Sequence, residues 1–255
     1  MTERAPSAPL AGKVAVVTGS TRGIGRGILE RLADDGAAVL VCHVADSSAP
    51  SAREIVAGVR AAGGRAAAFQ GDVSEPGVAQ ALVAAAVDEL GGLDILVNNA
   101  AISDYKPFGT FSAQDVERTL AVNVAAPFTL SQAALAVMPD GGRIVHIGST
   151  VATRMAREEG SLYATSKAAL IGMTKGMARD LGPRRITVNL VNPGPTATEM
   201  LAQHSEDAIA RMVSFMAIKE LARPEHTAAI VAALARDDAA FTTGAIIGVD
   251  GGYTI

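Results

Sequence analysis

The chain has 255 residues, 49% of them hydrophobic, enough for one large α/β domain or two small ones. Its 22 lysines and arginines against 26 acids give a net charge of −4, and Arg184-Arg185 is only an isolated basic pair, which argues against a nucleic-acid partner. One cysteine rules out an internal disulfide, the four histidines lack metal-ligand spacing, and apolar runs such as 228–235 fall short of the ~20 residues a bilayer needs.

Residues 1–10 carry no apolar stretch and hold Pro6 and Pro9, which predicts no secretory signal, a cytoplasmic location and a poorly ordered tail over 1–12. From there β-rich runs alternate with helical patterns to the end. Strands are expected at 14–18, 38–43, 66–70, 95–98, 144–148, 187–191 and 245–249. Helices are expected at 23–35, 51–62, 75–90, 112–136, 163–181 and 225–236. Unbroken alternation predicts one α/β domain over 13–255, with a seven-stranded parallel sheet covered by helices on both faces. Cys42, in an apolar run, is expected to be a buried strand residue and not a nucleophile.

Two stretches depart from this rhythm. Residues 151–162 are polar and include Arg154, Arg157, Glu158 and Glu159; residues 195–221 include Met200, Leu201, Met212, Phe215 and Met216. Both follow the C-terminal ends of expected strands, the edge where open α/β sheets bind ligands. They are expected to form a substrate loop and a mobile lid. The two arginines would draw an anion, an effect opposed by the two glutamates.

Several motifs carry chemistry. Thr18-Gly-Ser-Thr-Arg-Gly-Ile-Gly25 lies between a strand and a helix, where glycines let the backbone approach a pyrophosphate at the positive helix end. Asn98-Asn99 ends a strand, and Asn123 is an amide in an apolar helical run that needs a partner. Tyr163 and Lys167 stand four apart on one helical face. An adjacent cation favours phenolate, so the pair suits proton exchange with an alcohol or carbonyl oxygen.

Together these residues resemble the short-chain dehydrogenase/reductase family. The matching features are Thr-Gly-x-x-x-Gly-x-Gly at 18–25, Asn98-Asn-Ala100, Asn123, Ser149, Tyr163-x-x-x-Lys167, Pro193-Gly194 and Val249-Asp-Gly-Gly252, in the family's order from Lys13 to Gly252. The resemblance implies a single-domain, doubly wound Rossmann fold and hydride exchange between a nicotinamide and a small carbonyl or alcohol substrate. It implies that Tyr163 is the general acid or base and that Lys167 lowers its pKa and bonds the nicotinamide ribose. Ser149 would hold the substrate oxygen, with Thr150 the alternative because the spacing to Tyr163 is one residue longer than usual. Asn123 would hold a water that relays protons to the lysine.

For the cofactor, the resemblance points to Gly19, Ser20, Thr21, Arg22, Gly23, Ile24 and Gly25 in the loop, and to His43 at the second strand's end. Asp72 and Val73 would face the adenine, Asn99 and Ala100 the ribose, and Pro193, Gly194, Thr196 and Thr198 the nicotinamide, with Tyr163 and Lys167 completing the set. Members that use NAD usually carry an acid where this chain has His43, and Arg22 matches a position that faces a 2′-phosphate. NADP(H) is therefore expected over NAD(H), although Val44 and Asp46 count against it. Within the family the nearest branch is the 3-oxoacyl-carrier-protein reductases and related ketoreductases, followed by sugar, polyol or general alcohol dehydrogenases. A catalytically silent dinucleotide-binding regulator is the alternative of another class. The resemblance further implies a homo-oligomer, a tetramer over a dimer, with 112–136, 163–181 and the last strand at its interfaces.

Overall fold

The computed structural model describes residues 8–255. Seven strands, β1 (Val14–Val17), β2 (Ala38–His43), β3 (Ala66–Gln70), β4 (Ile95–Asn98), β5 (Arg143–Ile147), β6 (Thr187–Pro193) and β7 (Ile246–Val249), form one sheet in the order β3-β2-β1-β4-β5-β6-β7. All six pairings are parallel. The central strands are buried on both faces, which is why they read as continuous apolar runs and not as alternating ones.

The helices wind to both sides. Ile28, Leu29 and Leu32 of α1 (Gly23–Asp34) share one apolar core with Ala52 and Ile55 of α2 (Ala49–Ala61) and with Val231 of α8 (Pro224–Ala235). Leu82 of α3 (Val78–Leu90), Leu130 of α5 (Ala126–Ala134) and Leu181 of α6 (Ser161–Leu181) build the other. Because the order reverses between β1 and β4, their helices leave to opposite faces. A crevice opens there at the strands' C-terminal edge.

The structure amends several of the expected elements. The helix expected over 112–136 divides into α4 (Ala113–Leu120), a wide π-helical turn (Ala121–Ala125) and α5. Pro127 explains it: proline has no N–H for the Asn123 carbonyl four residues back, and its ring crowds that carbonyl. The helix expected from 75 begins at Val78, because Gly77 turns left-handed at φ +81 after Pro76. Of the tail expected to be disordered, residues 1–7 lie outside the described residues, but 8–12 are built into the fold. Leu10 is buried in the α1 core and its N–H donates to the Asp35 carbonyl at 2.8 Å. The segment 195–221 contains α7 (Glu206–Ser214).

Candidate active site

The glycine loop joins β1 to α1. Gly19 holds φ +62, a left-handed conformation that side chains resist, and a methyl group at Gly25 would strike the Gly19 carbonyl and the Asn99 amide. No side chain caps α1, and its first turn contains no acid. The orphan N–H groups and positive end of the helix dipole therefore face the loop uncompensated, as a phosphate requires. This cradle fits the pyrophosphate of a dinucleotide. Gly23 opens α1 beside the start of the lid, where a Cβ on it would lie 3.4 Å from the Thr198 methyl, and Ile24 packs toward the α1 core.

Thr18 braces the loop from below. Its hydroxyl accepts the N–H groups of Asn99 and Ala100, both at 2.9 Å, while the Asn99 amide donates to the carbonyls of Thr18 at 2.8 Å and Gly19 at 3.1 Å. Asn99 and Ala100 thus sit against the loop, and Thr18 is a site-forming residue the motif reading left unassigned. A buried hydroxyl at a strand end was the available signal, since it needs partners. Asn98 points the other way, donating to Ser131 Oγ at 3.1 Å and bonding His146 Nδ1 at 3.2 Å inside the core. Burial, and secondarily Lys167, push His146 down to about 4.

The remaining cofactor positions divide. Thr21 is half-buried and Arg22 exposed at the loop's rim, whereas Ser20 is buried and turned toward β2, its hydroxyl accepting the Cys42 N–H at 2.9 Å. His43 is buried with a ring nitrogen 3.2 Å from the Ala45 carbonyl, and no carboxylate ends β2; nearby Asp46 receives the Gln70 amide at 2.8 Å. Asp72 is spent within the protein. Its carboxylate accepts Ser74 N and Oγ at 3.0 and 2.6 Å and pairs with Arg118 of α4 at 2.6 Å. Burial would raise its pKa, but the Ser74 and Arg118 bonds outweigh that and hold it below the usual value. Val73 packs in the core. Pro193 ends β6, the Gly194 N–H donates to the Val249 carbonyl at 3.0 Å, Thr196 is buried with its hydroxyl on the Gly194 carbonyl, and Thr198 is half-buried at the lid's start.

Ser149, Tyr163 and Lys167 converge at the end of β5. The Asn192 amide oxygen accepts the Ser149 N–H at 3.1 Å and so fixes the turn after β5. Ser149 is half-buried beside the phenol of Tyr163, whereas Thr150 is buried in the following turn; geometry favours Ser149 of the two hydroxyls. Tyr163 and Lys167 occupy successive turns of α6, with Lys167 Nζ 5.8 Å from the Tyr163 ring centroid.

The expected lowering of the phenol by its lysine does not appear in the structure. Burial pushes Tyr163 above its ordinary value, Tyr105 adds to this, and the Ser149 hydroxyl alone opposes it. The reason is orientation: Lys167 donates to the Ile147 carbonyl at 2.9 Å, so desolvation prevails at the phenol. Burial also brings Lys167 down to about 8. Asn123, in the wide turn, accepts the Ile102 N–H at 2.9 Å and donates to the Ile102 carbonyl at 2.8 Å and Ser166 Oγ at 3.0 Å. Its amide thereby ties the turn after β4 to α6.

Above the phenol lies a group of side chains that sequence reading did not assemble. Tyr105 lies 5.8 Å from Tyr163 between ring centroids, the Arg157 guanidinium stands 4.0 Å over the Tyr105 ring, and His204 meets that ring edge-on at 6.2 Å. Arg154 serves another purpose. It donates to the carbonyls of Tyr253 and Ile255 and lies 5.5 Å from the rings of Phe215 and Tyr253, joining the 151–162 loop to the lid and the C-terminal segment. Met216 is buried, so part of the lid's apolar content is core, while Met200 and Phe215 remain exposed.

Among the described residues, no group of His, Cys, Asp and Glu could hold a metal ion, and no helix is long and apolar enough to cross a membrane. Cys42 is buried on β2, and burial pushes its thiol up, away from nucleophilic character.

Comparison with known proteins agrees with this geometry. Residues 19–254 match a family model described as enoyl-(acyl carrier protein) reductase. A cyclic-di-GMP-binding biofilm dispersal mediator protein of Escherichia coli K12 is 38% identical over 245 residues, 95% of this chain and 97% of that protein. A blue fluorescent protein from a metagenomic library, solved in complex with NADPH, is 45% identical with a TM-score of 0.94, covering 97% of this chain and 100% of its own. The angucycline C-6 ketoreductase LanV with bound NADP is 37% identical with a TM-score of 0.90, covering 96% and 97%. With its doubly wound sheet and the match across nearly its whole length, the chain belongs to the short-chain dehydrogenase/reductase family and is an NAD(P)-dependent oxidoreductase.

Proposed function

We propose that the protein reduces a ketone to a secondary alcohol with NADPH. The observation that carries this reading is the convergence of Ser149, Tyr163 and Lys167 at the end of β5, beside an uncapped helix N-terminus across the crevice. When bound, the nicotinamide supplies the hydride. Tyr163 gives its proton to the carbonyl oxygen as charge develops there. Ser149 donates a hydrogen bond to the same oxygen, from a turn held by Asn192. Lys167 holds a positive charge beneath the phenol and favours the phenolate left behind. Asn123 ties the wide turn to the segment after β4 and to α6, where the family resemblance gives it a water that relays protons to Lys167.

Preference for NADP(H) is supported by the absence of a carboxylate at the end of β2, by Arg22 at the loop's rim, and by the NADPH and NADP seen in the two structural relatives. The ketoreductase relative supports the direction of reaction. Retention of Ser149, Tyr163 and Lys167 in one site argues against a silent dinucleotide-binding role. The test is turnover of a ketone panel with NADPH and NADH. Tyr163→Phe is expected to lower kcat by about 10²–10⁴-fold, and Arg22→Ala to raise KM for NADPH well beyond KM for NADH. Normal turnover by the first variant, or equal effects of the second, would refute the respective assignment.

A further inference from the structure

Arg157 is a half-buried cation at the mouth of the site that pairs with no carboxylate among the described residues. Its guanidinium carbon lies over the Tyr105 ring, 4.0 Å from the centroid, and the Tyr105 ring centroid in turn lies 5.8 Å from that of Tyr163. Its one polar contact among the described residues is Nη1 to His204 Nδ1 at 3.4 Å. Burial and the guanidinium itself hold His204 below its ordinary pKa, so that contact brings no second charge.

The surrounding acids are accounted for. Glu158 and Glu159 are exposed, the latter at a left-handed φ of +68, and Asp104 and Asp115 bind Lys106 at 3.0 and 2.8 Å. Arg154, the other arginine of the loop, is committed to the C-terminal carbonyls. A guanidinium stacked on an aromatic face keeps its N–H edge free, and that edge matches a carboxylate with two parallel bonds.

We infer that Arg157 is an anion subsite and that the substrate is a ketone bearing a carboxylate, its carbonyl at Ser149 and Tyr163 and its acid on the far side of Tyr105. This inference rests on the ketone-reductase reading of the same site. The sequence alone left it open, because Glu158 and Glu159 stand beside the arginine in the chain; the fold turns them outward and Arg157 inward.

A matched pair of probes, 4-acetylbenzoate and its methyl ester, tests it in two ways. In binding titrations to the protein saturated with NADP⁺, the acid should bind about tenfold tighter than the ester, the effect of one charge-assisted pair. Arg157→Gln should bring the two within about twofold. Arg157→Lys should retain a reduced preference, because an ammonium keeps the charge but not the paired bonds. An acid that binds no tighter than its ester, or a preference that survives in Arg157→Gln, overturns the subsite. If Arg157→Gln fails to fold, an undiminished preference in Arg157→Lys does the same. Turnover with NADPH separates the two ideas. If the acid is bound through Arg157 but neither probe is reduced, the subsite stands and the ketone reading falls. If the ester is reduced and the acid-to-ester ratio ignores position 157, the reverse holds.

Discussion

Lys167 shows what the site costs the fold. Its ammonium is buried with a single acceptor among the described residues, the Ile147 carbonyl, and its pKa drops to about 8. A buried amine that is easier to deprotonate than in the unfolded chain opposes folding while it is charged in both states. The folded pKa lies below the unfolded one, so this penalty is full below pH 8 and fades as pH rises from 8 toward 10.5. The shift corresponds to about 3 kcal/mol, and loss of the Ile147 bond offsets about 1 kcal/mol of it. Lys167→Met is therefore expected to be more stable at pH 7 by about 2 kcal/mol while losing activity, and its advantage should shrink above pH 8. Denaturant unfolding of both proteins across pH 7–10 checks the sign; a variant less stable at pH 7 would show that the ammonium is better solvated than its burial suggests.

At the level of elements, function depends on how strand ends are joined. The Thr18 hydroxyl ties the end of β1 to the start of the turn after β4, with two backbone N–H groups on one oxygen. Thr18→Val keeps the shape and removes the acceptor, leaving two part-buried donors without it, which should cost about 1–3 kcal/mol and raise KM for the cofactor. Thr18→Ser, which keeps the oxygen, should recover most of both losses; a Ser variant as impaired as the Val variant would assign the role to the methyl group. The broken helix of α4 and α5 teaches a related lesson. Periodicity across 112–136 reads as one helix because the apolar positions continue in phase, and only Pro127 marks where the backbone must widen.

For the whole molecule, apolar side chains remain uncovered on α4 and α5, where Phe128 is 51% exposed and Val116 and Leu120 are exposed too. Exposed apolar residues grouped on one face mark a contact surface. They support the homotetramer proposed from the family, with this pair of helices as one interface. Phe128→Glu is expected to reduce the mass measured by light scattering from four chains to two; an unchanged mass would place the interface elsewhere.

The strands, the alternating helices and the short-range motifs were legible in the sequence because each rests on local chemistry. Continuous apolar runs need a sheet buried on both faces, glycines permit the turn at Gly19, and a four-residue spacing puts Tyr163 and Lys167 on one helix face. What the chain could not disclose by itself depends on segments far apart in sequence. Tyr105, Arg157 and His204 gather over Tyr163 from three separate loops, and Arg118 reaches Asp72 across 46 residues. The direction of the Tyr163 pKa was decided there too. Proximity of the lysine in sequence predicts a lower value, but burial of the phenol and the bond that engages Lys167 with the Ile147 carbonyl are tertiary facts, and desolvation prevails.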